Sequence, residues 1–249
     1  MDVKKAYAQL LKAGYTPAGA CGVIGNLQHE SGLRGNNLEN AFNKKFDMTD
    51  EEYTDAVDRK AISREDFMSD CAGYGLAQWT WHTRKAALWD RTVKKGLSIS
   101  DEKTQLDFFV TEVYSTFPAV YKVLTTTNSV KAASDIVLTD FERPADTSDK
   151  SKNYRASLGQ KVFDAMMAEE EKKNARKKKA LEKSKYYEIP VYNGNSIVDG
   201  LKAINVDSRY QNRMLIAQAN GIENYLGLGN QNIQLLKLLK AGLLIIPKN

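Results

Sequence analysis

Glu30 is the side chain whose surroundings in this sequence most suggest chemistry. It lies near the end of Gly19 to Gly32, GACGVIGNLQHESG. Thr16-Pro17 just before is a helix start, a hydroxyl N-cap followed by proline at the first helical position. Gly32 is placed to end the helix, which leaves Glu30 in its last turn. There the negative end of the helix dipole disfavours a second negative charge. With partial burial added, Glu30 is expected to have a raised pKa and to stay protonated near neutral pH. A protonated carboxyl in a cleft is what glycoside hydrolysis needs as general acid. The plainer reading of the residue is a solvated glutamate at a helix end.

A second stretch, Gly73 to Thr80, GYGLAQWT, changes the weighing. Two glycines lead into an apolar–polar alternation and an exposed-looking Trp-Thr-Trp. Such a segment suits a sugar site, with an amide for N-acetyl groups and an indole face for pyranose rings. Tyr74, Gln78, Trp79 and Thr80 are therefore the expected substrate-binding residues. Taken alone, the stretch is an ordinary hairpin with a core tryptophan.

H-E-S-G at the end of a glycine-rich helix, followed by G-Y-G-L-x-Q-W-T, resembles the phage tail lysozyme and endolysin muramidase family of the lysozyme superfamily. The G-L-x-Q element is also similar to that of goose-type lysozymes and lytic transglycosylases. Phe141-Glu142-Arg143-Pro144-Ala145 is similar to the F-E-R-P-A that closes domains of the family. The three fragments occur in the family's order and span roughly residues 1–165. The resemblance implies a mainly α, lysozyme-like catalytic domain with one short extended element, and it puts the family's catalytic acid on Glu30.

The elements that must position these residues are mostly helices. Ala20, Val23, Ile24 and Leu27 recur at helical spacing around Glu30. Gly19, Gly22 and Gly25 cost about 1 kcal/mol each in a helix interior relative to alanine. Together they leave a smooth stripe for a close neighbour, so this helix is expected to be central. Val3, Ala6, Tyr7, Leu10 and Leu11 line one face of an amphipathic N-terminal helix. Thr49 with Glu52 forms a capping box, and Ser63 starts another helix. That polar region, up to Cys71, is expected to flank the cleft and to hold the candidates for a second carboxylate, such as Asp47 and Asp70. Further helices are expected over Trp81–Lys95 and Ser100–Tyr114, from Pro118 and Ser129, and near Ser151.

Composition bounds the rest. A hydrophobic share of 42% and a charged share of 27% are ordinary for a globular chain. No apolar run approaches the ~20 residues needed to span a membrane. The N-terminal helix lacks an apolar signal core, so the expectation is a protein made in a host bacterial cytoplasm without a signal peptide and acting on the wall after release. Cys21 and Cys71 are too few for a disulfide scaffold or a zinc cluster, and no metal or cofactor is expected. They are read as buried thiols, with a disulfide pinning the two stretches as the alternative. The net charge of +5 is uneven: residues 1–165 carry 22 Lys/Arg against 23 Asp/Glu, and residues 166–249 carry 14 against 8.

Residues 166–185 contain a Lys/Glu/Ala tract with no apolar face, a semi-rigid helical spacer. Interspersed glutamates and the lack of aromatics argue against a nucleic-acid arm. Residues 186–249 read as a small α+β unit: a strand pattern at Tyr187–Val191, helices around Ile197–Ile204, Asp207–Ile216 and Asn232–Leu239, and a closing strand at Leu243–Ile246. This order resembles the LysM peptidoglycan-binding module. It departs from it in Gly194-Asn195-Ser196 and in the inserted Asn224–Lys240. A small helical docking domain is the alternative.

The expected function is therefore a muramidase-type endolysin cutting bacterial peptidoglycan, with anionic wall polymers as further partners, and without nucleic acid or membrane insertion. Lytic transglycosis of the same bond is the first alternative. A cysteine-type amidase or peptidase using Cys21 and His82 is the second, and a non-catalytic wall-binding virion protein is the third. An exposed C-terminal module argues for endolysin over tail component.

Overall fold

The computed structural model describes residues 1–183 and 185–248. Ser184, in the expected spacer, and Asn249, in the expected C-terminal module, lie outside the described residues. The chain divides into two compact units, Met1–Ala168 and Glu169–Asn249, each with its own hydrophobic cluster.

The first unit opens with α1 (Val3–Lys12) and α2 (Pro17–Ser31). Short helices α3 (Asn40–Phe46), α4 (Asp50–Asp58) and α5 (Arg64–Ser69) follow. Then come α6 (His82–Arg91), a 3-10 turn at Val93–Lys95, α7 (Glu102–Thr116), α8 (Pro118–Thr126) and α9 (Val130–Ile136). The chain continues from α9 into a π-helical turn, Val137–Glu142, and then into α10 (Asp149–Lys183).

Helix α2 is the axis of this unit. Thr16 caps it, its Oγ1 accepting from the Gly19 amide at 2.9 Å and donating to the Thr127 carbonyl at 2.6 Å. Gly32 ends it in the left-handed conformation, φ +63°. Eleven of its residues are buried, and the helix carries apolar or small side chains on nearly every side. A helix buried all round needs neighbours all round, and the glycine stripe admits them. A Cβ on Gly19 would meet the Leu124 carbonyl oxygen of α8 at 2.0 Å. One on Gly22 would lie 2.7 Å from the Ser134 amide of α9, and one on Gly25 would lie 2.6 Å from the Arg155 carbonyl oxygen of α10. No side chain fits at these contacts, and the helix-propensity cost of glycine is repaid in backbone proximity.

The Gly73–Thr80 stretch is a tight two-way turn. Tyr74 pairs antiparallel with both Leu38 and Trp79 through isolated bridges. The Leu76 amide donates to Gln105 Oε1 at 2.8 Å, and the Leu76 carbonyl accepts from Ser31 Oγ at 2.8 Å. Ser31 thus ties the end of α2 directly to this turn.

In the second unit, α11 (Ile197–Lys202), α12 (Tyr210–Ala219) and α13 (Gly229–Lys240) surround Leu201, Ile216, Leu235, Leu239 and Leu244. Where two strands were expected, one bridge forms, from Tyr186, just before the first segment, to Ile245, and among the described residues it extends into no longer ladder. Beyond the C-terminal part of α10, the described residues of the unit form three helices closed by that bridge. No described helix is long and apolar enough to cross a membrane.

Candidate functional site

The C-terminal end of α2, the Gly73–Thr80 turn, the start of α6 and the π-helical turn enclose an open cleft of about 860 Å³. Glu30, Glu39, Gln78, Trp81, Arg84 and Glu142 are among the side chains that line it. Glu30 is 20% exposed, and its Oε1 accepts from Arg155 Nη1 at 2.6 Å. His29 Nδ1 lies 3.7 Å from the same oxygen, and its ring stands edge-on to Tyr154.

Arg155, one turn and a half into α10, is almost fully buried and serves two carboxylates. The same Nη1 is bonded to Glu142, whose side chain is 5% exposed. Asn26, one helical turn before Glu30, is 3.4 Å from Nη1 through its Oδ1. Its amide nitrogen donates to the Ser134 carbonyl at 3.1 Å, which orients it. Glu142 reaches the cluster because the π-helical turn ends there. Arg143 adopts φ +52° and donates its amide to the Leu138 carbonyl at 2.8 Å, the wider spacing of a π turn. Burial, with the Glu30 charge beside it, pushes the Glu142 carboxyl up to about 8, against the pull of Arg155.

The structure separates the expected sugar-binding residues into two pairs. Gln78 and Thr80 line the cleft. Tyr74 and Trp79 do not: both are 0% exposed. The Tyr74 hydroxyl is bonded to Thr54 Oγ1 at 2.6 Å, and the Trp79 indole donates to Glu112 at 3.1 Å and lies against Phe108. Tyr74 and Trp79 pair across the bridge that closes the turn, and both side chains enter the core beside Leu76. The exposed indole is Trp81, 70% exposed at the N-cap of α6. It stands with Arg84 between the cleft and a second depression of about 470 Å³. Arg84 is held by Glu112 at 2.5 and 2.8 Å in a bidentate pair.

The two acids expected as a second carboxylate lie elsewhere. Asp70 is bonded to the buried Lys85 and to the Tyr53 hydroxyl. Asp47 is exposed at the C-cap of α3, in a separate depression. Glu142, Arg155, Glu39 and Trp81 are the cleft residues that sequence reasoning missed. Glu142 sat inside the F-E-R-P-A fragment without a role, and Trp81 directly followed the sugar motif.

Cys21 and Cys71 are both free thiols, so no disulfide joins the two stretches. Cys71 is exposed rather than buried. Cys21 is buried inside α2, and burial pushes its thiol up to about 12, away from the thiolate a nucleophile needs. His82 is exposed at the start of α6, and no hydrogen bond among the described residues joins it to Cys21. Among the described residues no group of three or more His, Cys, Asp or Glu has the arrangement of a metal site.

The arrangement can protonate a ligand in the cleft through Glu30, with buried groups behind it that fix where the carboxyl sits. Residues 2–166 match the family model described as phage tail lysozyme. No curated protein matches the chain.

Proposed function

The chain belongs to the phage tail lysozyme family and is a peptidoglycan lytic enzyme, and we propose that it cuts the glycan strand between N-acetylmuramic acid and N-acetylglucosamine with Glu30 as general acid. The observation that carries this reading is the position of Glu30: a partly buried carboxyl facing an open cleft, gripped from behind by Arg155 at 2.6 Å. A carboxyl fixed in this way meets a glycosidic oxygen from one direction, which is the positioning that acid catalysis requires. Gln78 and Thr80 offer polar contacts to the sugar, and the exposed Trp81 indole offers a pyranose ring an apolar face.

In this reading the second unit holds the enzyme on the wall after release from the producing cell, and raises its local concentration there. Support comes from its cationic surplus and from exposed apolar side chains such as Leu226, Leu228 and Ile233.

The test is mass spectrometry of soluble fragments from purified peptidoglycan digested by the wild type and by Glu30→Gln. Disaccharide-peptides with reducing muramic acid ends, absent from the variant, are expected. Anhydro ends would reassign the reaction to lytic transglycosis. Undiminished glycan cleavage by Glu30→Gln would overturn the assignment of the acid.

A further inference from the structure

Glu30, Arg155 and Glu142 form one electrostatic unit. Arg155 Nη1 bonds an oxygen of each carboxylate, which brings the two carboxyl groups together around one guanidinium nitrogen. With both acids ionised the trio carries one net negative charge. Its inner members, Glu142 and Arg155, are 5% and 3% exposed. Burying an unbalanced charge is costly, and one added proton removes it. Glu142 Oε1 is buried without a hydrogen-bond partner. An orphan oxygen is far less costly on a neutral carboxyl than on a carboxylate. The proton of this unit therefore belongs between the two glutamates.

The surrounding charges leave that balance in place. From α2, His29 faces Glu30 at 3.7 Å. From α6, Arg84 lines the same cleft but is committed to Glu112. From the segment after the π-helical turn, Asp146 faces Arg155 and accepts from the Ser148 amide. Arg143 donates to the Asp140 carbonyl at 2.9 Å.

We infer that Glu142 is the proton reserve of Glu30, a nearly buried carboxyl at the back of the cleft that shares its proton with the acid in front of it. The inference rests on the reading of Glu30 as general acid. When Glu30 passes its proton to the glycosidic oxygen, the bond to the anomeric carbon breaks with its electron pair going to that oxygen. That proton is the one the pair shares: it leaves Glu142 for Glu30 ahead of the transfer, and the Glu142 carboxylate left behind stays paired with Arg155 while both acids are ionised. The attacking hydroxyl, from water or from the substrate itself, then loses its proton to the pair, and the resting state returns. Glu142 acts through Glu30 and is a positioning residue for the proton. Its closeness to Glu30 excludes it from the other roles, since a nucleophile or base must face the bond from the far side, about 5 to 10 Å from the acid.

The experiment is the pH profile of kcat/KM for full-length wild type, Glu142→Gln, Glu142→Asp and Glu30→Gln on soluble peptidoglycan fragments. In Glu142→Gln the groups facing Glu30 are Arg155 and His29, and the guanidinium favours the ionised form. The alkaline limb is expected to move by more than about one pH unit towards acid, with activity reduced at least about tenfold near pH 7 and largely recovered near pH 5. Glu142→Asp is expected to keep the limb close to that of the wild type. An unmoved limb in Glu142→Gln, or an equal loss at every pH, would overturn the inference, the second showing a merely structural side chain. Activity in Glu30→Gln would instead sink the general-acid reading. If Glu142→Gln does not fold, carboxyl-labelled NMR of the wild type decides. A glutamate titrating above about pH 6 that shifts in Glu30→Gln is expected, and its absence overturns the shared proton.

Discussion

Gly25 of α2 and Gly159 of α10 meet backbone to backbone: a Cβ added at Gly25 would stand 2.5 Å from the Gly159 amide nitrogen and 2.6 Å from the Arg155 carbonyl oxygen. Helix propensity alone makes Gly25→Ala stabilising by about 1 kcal/mol. Here the added methyl must push α10 outward, and overpacking of this kind costs about 1–3 kcal/mol or more. Chemical denaturation of Gly25→Ala is expected to show a net loss of stability. Lytic activity is expected to fall further than the folded fraction does, because α10 carries Arg155 away from Glu30. A stabilised, fully active variant would mean that the close approach is unimportant.

The two tryptophans of the Trp-Thr-Trp run are expected to separate binding from stability. Trp79 is fully enclosed and its indole nitrogen is bonded to Glu112. Trp79→Ala is expected to cost about 3–5 kcal/mol and to lower activity only through loss of fold. Trp81 is 70% exposed, so Trp81→Ala is expected to leave the melting temperature within about 2 °C of the wild type. If the indole stacks on a sugar ring, the same change weakens binding by about 1 kcal/mol or more, read as a raised KM on defined oligosaccharides. An unchanged KM would remove Trp81 from the substrate path.

Glu142 also makes a prediction about stability against pH. Its folded carboxyl is pushed up to about 8 from an ordinary value near 4.5. The folded state therefore holds a proton that the unfolded chain releases. Between about pH 4.5 and 8 this group makes stability fall as pH rises, at up to about 1.4 kcal/mol per pH unit, with no further change above that window. Urea denaturation across this range is expected to show a slope in the wild type that Glu142→Gln lacks. Equal slopes in the two proteins would place the proton elsewhere.

How far the sequence revealed the site depended on the kind of information each residue carried. Helix α2 was legible because its cap, its proline and its terminating glycine are local signals, and the glycine stripe pointed to close neighbours. The family was legible from three short fragments in order, and the match over residues 2–166 agrees with it. Which neighbours the stripe met was not legible, since Leu124, Ser134 and Gly159 reach α2 only through tertiary packing. Trp79 and Trp81 were confused because residues two apart share a face of an extended segment, whereas here Trp79 closes a turn against Tyr74 and Trp81 is already the N-cap of α6. Glu142 was missed because its closeness to Glu30 depends on a π-helical turn and on a guanidinium from α10, neither of which leaves a periodic trace. In the second unit, the apolar runs at Tyr187–Val191 and Leu243–Ile246 suggested strands. Among the described residues one bridge, Tyr186 to Ile245, stands beside them and no third strand extends a ladder, so they stay irregular.

The last prediction concerns the opposite wall of the cleft. Glycosidases that use two carboxyl groups place them on either side of the scissile bond, about 5 to 10 Å apart. Three acids line this cleft, Glu30, Glu39 and Glu142, and Glu142 shares Arg155 with Glu30 on the same side. Glu39 is the lining acid not bound to Arg155, and so the one to test for a role on the far side of a bound sugar. It is the N-cap residue of α3, its Oε2 accepts from the Gly73 amide at 3.0 Å, and its own amide donates to the Gly73 carbonyl at 2.9 Å. This reciprocal pair holds the carboxylate against the Gly73–Thr80 turn. If Glu39 orients the attacking water, Glu39→Gln lowers kcat by about 10²–10⁴ with KM little changed. If the substrate's own hydroxyl attacks, no water needs activation. The same variant then keeps kcat within about tenfold of the wild type, and the products carry anhydro ends. Measuring kcat and product ends together therefore tests the role of Glu39 and separates hydrolysis from transglycosis. Reducing ends with an undiminished kcat would show that neither Glu39 nor a substrate hydroxyl does this work.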